Sequence, residues 1–91
     1  EYTQRAIDDI DQIRQWIARD SPERARMFVR QLLDLAGSLD LMPERCPAIP
    51  GRPLSDRRLI YRDYLILFRI EAEAVAILRV LHGRRDWQGM A

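Results

Sequence analysis

His82 is the side chain whose unperturbed pKa lies nearest neutrality, so any acid–base chemistry falls to it first. Arg84 and Arg85 follow at once and could hold the developing negative charge of a phosphate. Together they would make a ribonuclease corner, His82 serving as acid–base group and Arg84 as phosphate clamp. The alternative for a single His at a strand end is a hydrogen-bonded edge residue. Other chemistry finds little support. The sequence has no Gly-rich phosphate loop, no nucleophile elbow and no Cys/His zinc pattern, and Cys46 and His82 alone cannot make a metal site. No cofactor is expected. Asp8, Asp9 and Asp11 sit together, and a charge run on a helix is ordinarily a solvated face.

Arg69 and Arg79 suggest a different kind of work. They fall in Tyr64 to Trp87, YLILFRIEAEAVAILRVLHGRRDW, where two aliphatic runs split by Glu71-Ala72-Glu73 read as a strand hairpin with Ile70 opposite Ala74. Side chains alternate with period two, so residues of one parity share a face. The even face, Tyr64, Ile66, Phe68, Ile70, Ala74, Ala76, Leu78, Val80 and His82, is predicted to be the core side. The odd face carries Leu65, Leu67, Arg69, Val75, Ile77, Arg79 and Leu81, two guanidinium groups among five aliphatics. A buried Arg needs a partner and an exposed aliphatic row leaves apolar area in water, so this face is predicted to be covered by another molecule. Within the chain, Glu71, Glu73 or Asp63 could instead pair with the two arginines. On the docking reading, Arg69→Glu weakens partner binding and leaves the fold standing.

The elements that must position this hairpin are legible upstream. Thr3 is an N-cap, and Ala6, Ile10, Ile13 and Ile17 recur on one stripe of a helix running to about Arg19, broadened by Ile7 and Trp16. Ser21-Pro22-Glu23 restarts the chain: Ser21 caps, Pro22 fits the first turn, and Glu23 suits the positive dipole end. Ala25, Phe28, Val29, Leu32, Ala36 and Leu39 form the second apolar stripe, and the two helices make an antiparallel hairpin. Gly37 lies within that stripe at a cost of roughly 1 kcal/mol in helix propensity, and a close approach to the sheet is one explanation. Met42 to Pro53 holds four of the five prolines, so regular structure stops there, with Cys46 as a small loop side chain. Arg57 to Tyr61 reads as a short strand and Arg62-Asp63 as the turn into Tyr64. The expected fold is α+β, a helical hairpin packed on one face of a small antiparallel sheet.

At 91 residues, residues 1–91 form one domain, and 47% hydrophobic with 32% charged residues is an ordinary globular composition. No stretch approaches the ~20 apolar residues of a membrane helix. The lone Cys46 excludes an internal disulfide, and with no export signal in view a cytoplasmic setting is expected. The net charge of +1 conceals an asymmetry: residues 1–44 carry six Arg against nine acids, and residues 45–91 nine Arg against five. The halves are thus −3 and +4. All fifteen basic residues are Arg, which a GC-rich genome or a need for carboxylate-matching forks would equally explain. An acidic partner suits the basic half, but nothing is basic enough to demand sequence-specific nucleic-acid binding.

YLILFRI followed by VAILRVLHGRRDW resembles the C-terminal half of the ParE branch of the ParE/RelE toxin superfamily. The Ala6-Ile7-Asp8-Asp9-Ile10 and Ser21-Pro22-Glu23-Arg24-Ala25 helix starts, the Gly51-Arg52 loop and the Leu81-His82-Gly83-Arg84-Arg85 tail agree in order and spacing over nearly the whole chain. The resemblance implies the toxin of a type II toxin–antitoxin, or plasmid-stabilisation, pair. Such a toxin is neutralised by a ParD-like antitoxin and, when free, inhibits DNA gyrase without turning over a substrate. Similar toxins begin with a short strand, to which only Tyr2 could belong here, so the native N-terminal strand is expected to be truncated or missing. RNA-cleaving RelE-like toxins are the alternative. They carry an Arg where this chain has Leu65, several loop Lys where it has none, and a C-terminal Tyr where it offers Trp87; Arg84 alone seats in that pattern. An inactive binding module with the same fold is the third reading. The expected partner-facing set is Leu65, Leu67, Arg69, Ile77, Arg79, Arg84, Arg85 and Trp87, with Trp87 either an aromatic anchor or a cap on the core.

Overall fold

Thr3 and Ser21 open the two helices as their side chains predict: Thr3 Oγ1 accepts from the Ala6 amide at 3.1 Å and Ser21 Oγ from the Arg24 amide at 3.2 Å. A computed structural model of the chain describes residues 1–83. Helix α1 spans Gln4–Ala18 and α2 spans Pro22–Gly37, with Pro22 and Glu23 in the first turn of α2 where a missing N–H and a negative charge are both favourable. The connection is only Arg19 to Ser21, so the helices run antiparallel. Ile7 and Trp16 do not broaden the buried stripe as expected. Ile7 is about half exposed, and Trp16 is 60% exposed beneath the Arg19 guanidinium, 5.1 Å from its ring centre.

Gly37 ends α2 in ordinary helical geometry, and a Cβ there would meet nothing within 4 Å, so no close approach to the sheet requires it. Two short 3₁₀ turns, Ser38–Asp40 and Pro43–Arg45, begin the loop. Arg57 ties this loop to the sheet by donating to the Cys46, Leu54 and Glu44 carbonyls at 2.9, 2.8 and 3.4 Å. Cys46 is not a bystander in the loop; it is buried in the main core.

Strands β1 (Asp56–Tyr61), β2 (Tyr64–Ile70) and β3 (Val75–His82) form an antiparallel meander in the order β1-β2-β3. Arg62, at φ 54°, makes the β1–β2 turn. Gly83 lies against that turn: its amide donates to the Asp63 carbonyl at 2.7 Å, and a Cβ would sit 3.3 Å from that oxygen. At the outer edge of β3, Tyr2 makes a parallel bridge to Ile77, through Ile77 N to Glu1 O at 2.8 Å and Thr3 N to Ile77 O at 3.0 Å.

The β2–β3 register corrects the predicted faces. Tyr64↔His82, Ile66↔Val80 and Leu67↔Arg79 keep one register, but Phe68↔Ile77, Arg69↔Ala76 and Ile70↔Val75 are shifted by one. Leu78 is the extra residue, a β-bulge, and every β3 side chain before it changes face. Val75 and Ile77 therefore point to the helices, while Ala76 and Leu78 do not. The core on the helix side combines Ala6, Ile13, Phe28, Leu32, Ala36 and Leu39 with Ile66, Phe68, Val75, Ile77 and Val80. A second, smaller cluster lies on the opposite face, where Ile49 from the loop packs against Leu65, Leu67, Leu81 and Leu78.

Candidate functional site

On the face of the sheet away from the helices, Leu67 and Leu78 floor a groove of about 250 Å³. Thr3 lines one wall. Four arginines rim it: Arg5 from the first turn of α1, Arg52 from the long loop, Arg69 from β2 and Arg79 from β3. Leu67 is 0% exposed and lies beneath the surface, so the apolar area open at the floor belongs to the half-buried Leu78.

Two carboxylates hold three of these guanidinium groups. Asp56, the first residue of β1 and itself 0% exposed, stands opposite Arg69 across the strand pair. Arg69 Nε donates to its Oδ1 at 2.7 Å, Arg69 Nη2 to Oδ2 at 3.2 Å, and Arg52 Nε to Oδ2 at 3.0 Å. The Arg69 hydrogen bonds and charge, together with Arg52, hold the Asp56 carboxyl below the usual carboxylate range, although burial pushes the other way. On the other side, Arg79 Nε and Nη2 donate to Asp9 at 2.7 and 3.0 Å, and the Val80 amide donates to the same carboxylate at 3.0 Å. Arg5 is exposed and forms no ion pair among the described residues. Four arginines against two aspartates leave the groove at about +2, with Glu71 adding a weaker attraction at Arg69.

The groove is thus apolar at the base and cationic at the rim, and its lining is Thr, Leu and Arg. The family model of the ParE toxin of type II toxin–antitoxin systems, parDE, matches residues 1–87. The chain belongs to the ParE toxin family. It is 33% identical over 88 residues to the candidate toxin Y4kP of Sinorhizobium fredii, covering 94% of this chain and 88% of the relative. A solved chain of the chromosomal ParDE TA system from P. aeruginosa shares the fold at a TM-score of 0.72, with 23% identity and coverage of 89% and 90% of the two chains. The helical hairpin on an antiparallel sheet is thus the ParE fold, and no helix among the described residues is long and apolar enough to cross a membrane.

Within this ParE fold the expected partner-facing residues divide. Leu67, Arg69 and Arg79 meet in the groove. Leu65 lies on the same face but is buried with Ile49 and Leu81. Ile77 is on the helix side, placed there by the Leu78 bulge, and is removed from the set. Arg84, Arg85 and Trp87 lie outside the described residues. Both groove arginines do have intramolecular partners, but these are Asp56 and Asp9 rather than Glu71, Glu73 or Asp63. Arg69→Glu would set a carboxylate against the buried Asp56, so the expectation that this change spares the fold is withdrawn.

Arg5, Arg52, Asp56 and Leu78 were not in the expected set. Arg52 and Asp56 stand four residues apart next to Gly51, a weak hint of a local ion pair; nothing local joins them to Arg69. His82 sits across the sheet from the groove. It packs edge-on to Tyr64, with ring centres 5.5 Å apart, at a cleft of about 190 Å³ that Asp9, Gln12 and Trp16 also line.

Proposed function

We propose that this ParE-family toxin is neutralised by a ParD-like antitoxin that covers the arginine-rimmed groove, and that the free toxin inhibits DNA gyrase by steric engagement. The observation that carries this reading is the preorganised rim. Asp56 and Asp9 hold Arg52, Arg69 and Arg79 around an apolar floor before any partner arrives, so little ordering cost falls on binding. The groove lining is Arg, Leu and Thr, none of which titrates near neutrality, and His82 faces the other side of the sheet. A binding surface fits these groups better than an acid–base site does, and both partners would be met in the cytoplasm.

Two measurements test it. Purified chain added to DNA gyrase is expected to block supercoiling of relaxed plasmid while leaving messenger RNA intact. Co-expression with the product of a neighbouring reading frame encoding a ribbon–helix–helix protein is expected to restore growth. Unimpeded supercoiling at a large excess of toxin would remove gyrase from the proposal.

A further inference from the structure

Arg62 opens the two-residue β1–β2 turn at φ 54°, in the left-handed region where Gly or Asn is the ordinary choice. Strain kept at one residue points to a use for its side chain. The guanidinium is held in place: Nε donates to the Tyr61 hydroxyl at 3.2 Å, that hydroxyl donates to Gln31 Oε1 at 2.7 Å, and the group lies 5.6 Å over the Tyr61 ring. Nη1 stays open among the described residues. The turn faces a cleft of about 310 Å³ on the helix side of the sheet, a volume at the lower end of the roughly 300–1,000 Å³ that small-molecule sites occupy. Arg24, Met27, Phe28 and Gln31 share one stripe of α2 and make one wall; Arg62, Asp63 and Tyr64 make the other. The Arg24 side chain forms no hydrogen bond or ion pair among the described residues, so a second open guanidinium lines the same space. The apolar area left open belongs to Met27, 54% exposed, and to the half-buried Ile17 and Tyr64, the last propped edge-on by Phe28 with ring centres 5.2 Å apart.

We propose that this cleft binds a free mononucleotide, its phosphate between Arg24 and Arg62 and its base against Met27 and Tyr64. The site is separate from the groove read above as the partner surface. Two guanidinium groups carried by different elements suit the three acceptor oxygens of a phosphate better than the two of a carboxylate. A flat ring packs against a thioether and a phenol, an area that inorganic phosphate would leave uncovered. Two arginines against Asp63 leave the lining at about +1, which matches one phosphate and is little for a polyanion. A nucleic-acid strand is therefore the less suited guest. His82 packs on the far side of Tyr64, with ring centres 5.5 Å apart, and does not line the cleft, so the lining supports binding rather than cleavage.

The test titrates the full chain separately with adenosine 5′-monophosphate, adenosine, inorganic phosphate and a single-stranded oligoadenylate, following the Met27 methyl group and the Asp63 amide by nuclear magnetic resonance. The monophosphate is expected to shift both signals and to bind more weakly as salt rises. Adenosine and phosphate are each expected to bind at least about tenfold more weakly, and the oligonucleotide no more tightly than the mononucleotide. Arg24→Gln, which breaks no contact among the described residues, is expected to lose about tenfold in affinity at an unchanged melting temperature. Arg62→Gly separates ligand from fold. It relieves the left-handed backbone, so the melting temperature is expected to hold or rise while affinity falls about tenfold. An arginine kept for the fold alone would give the reverse, a lower melting temperature and unchanged affinity. Unmoved signals with the monophosphate, equal binding of adenosine or of phosphate, tighter binding of the oligonucleotide, or full affinity in either variant would each overturn the proposal.

Discussion

Arg79 and Asp9, seventy residues apart in the chain, meet in a two-bond fork at 2.7 and 3.0 Å, and the Asp9 carboxylate also accepts the Val80 amide at 3.0 Å. The contact closes the outer edge of β3 with a side chain of α1, just beyond the point where the Tyr2 bridge ends. It joins helix layer to sheet and, on the same atoms, fixes one rim of the groove. Asp9→Ala removes three hydrogen bonds and leaves a partly buried guanidinium behind. The expected loss, discounted for the residual exposure of both partners, is about 2 kcal/mol, which for a domain of this size lowers the melting temperature by about 8–16 °C. A calorimetric scan checks it, and a change of under about 2 °C would deny the contact any structural weight.

Asp56 gives the fold a pH dependence whose sign is determined by its depressed carboxyl pKa. Its folded value lies below the unfolded reference of about 3.9, so its contribution is fully present above that reference and is lost as pH falls through the folded value. The melting temperature of the parent is expected to hold near neutrality and to drop below about pH 4. Asp56→Asn should be less stable at pH 7 and should approach the parent near pH 2. Asp11, also depressed by its Arg14 hydrogen bond, acts in the same direction but in both proteins, so the difference between the two curves isolates Asp56. A gap that stays constant from pH 7 to pH 2 would contradict this.

Ile77 shows where reading the chain succeeded and where it could not. Thr3 and Ser21 as caps, the two helical stripes, the Arg62-Asp63 turn and the start of β2 were legible because each depends on neighbours within a few residues, whereas β1 opens at Asp56 rather than Arg57 and Ile70 pairs with Val75 rather than Ala74. Period-two counting also placed Tyr64 to Ile70 and Arg79 to His82 correctly. It failed for residues 75 to 78 because a bulge changes the parity without a marker such as Gly in that strand, and only the pairing with β2 reveals it. Asp56, Ile49 and Cys46 were missed for a related reason: their burial is decided by residues distant in the chain. Ile77→Ala is accordingly expected to cost about 2–4 kcal/mol as a core truncation, against under 0.5 kcal/mol for a solvent-facing site. Urea unfolding distinguishes the two outcomes.

Gly37 is a site where stability is open to gain. Its backbone, at φ −63° and ψ −30°, is one that any residue adopts, and a Cβ would meet only open space. Gly37→Ala is expected to stabilise by about 0.4–1 kcal/mol, chiefly by narrowing the unfolded ensemble. Gly51 provides the contrast: it too has open space around a Cβ, but at φ +79° an alanine is strained, at a cost of about 1 kcal/mol. Opposite shifts in melting temperature are expected for the two substitutions. A destabilised Gly37→Ala would mean that residue 37 leaves helical geometry in solution.

His82 decides between a binding toxin and a ribonuclease. Its ring packs against Tyr64 on the helix side of the sheet, at a cleft shared with Asp9 and Gln12, while Arg5, Arg52, Arg69 and Arg79 rim the groove on the other face; Arg84 and Arg85 lie outside the described residues. Acid–base catalysis needs the proton-transferring group and the charge-stabilising groups to converge within hydrogen-bond reach of one reacting atom, and a sheet lies between His82 and the groove floor. His82→Gln keeps a polar side chain of similar reach and removes the imidazole, the acid–base group that the ribonuclease reading requires. Toxicity on expression is expected to be unchanged, with full-length transcripts in both proteins. Rapid transcript cleavage by the parent, abolished in His82→Gln, would overturn the binding mechanism and assign the cleft rather than the groove as the site of action.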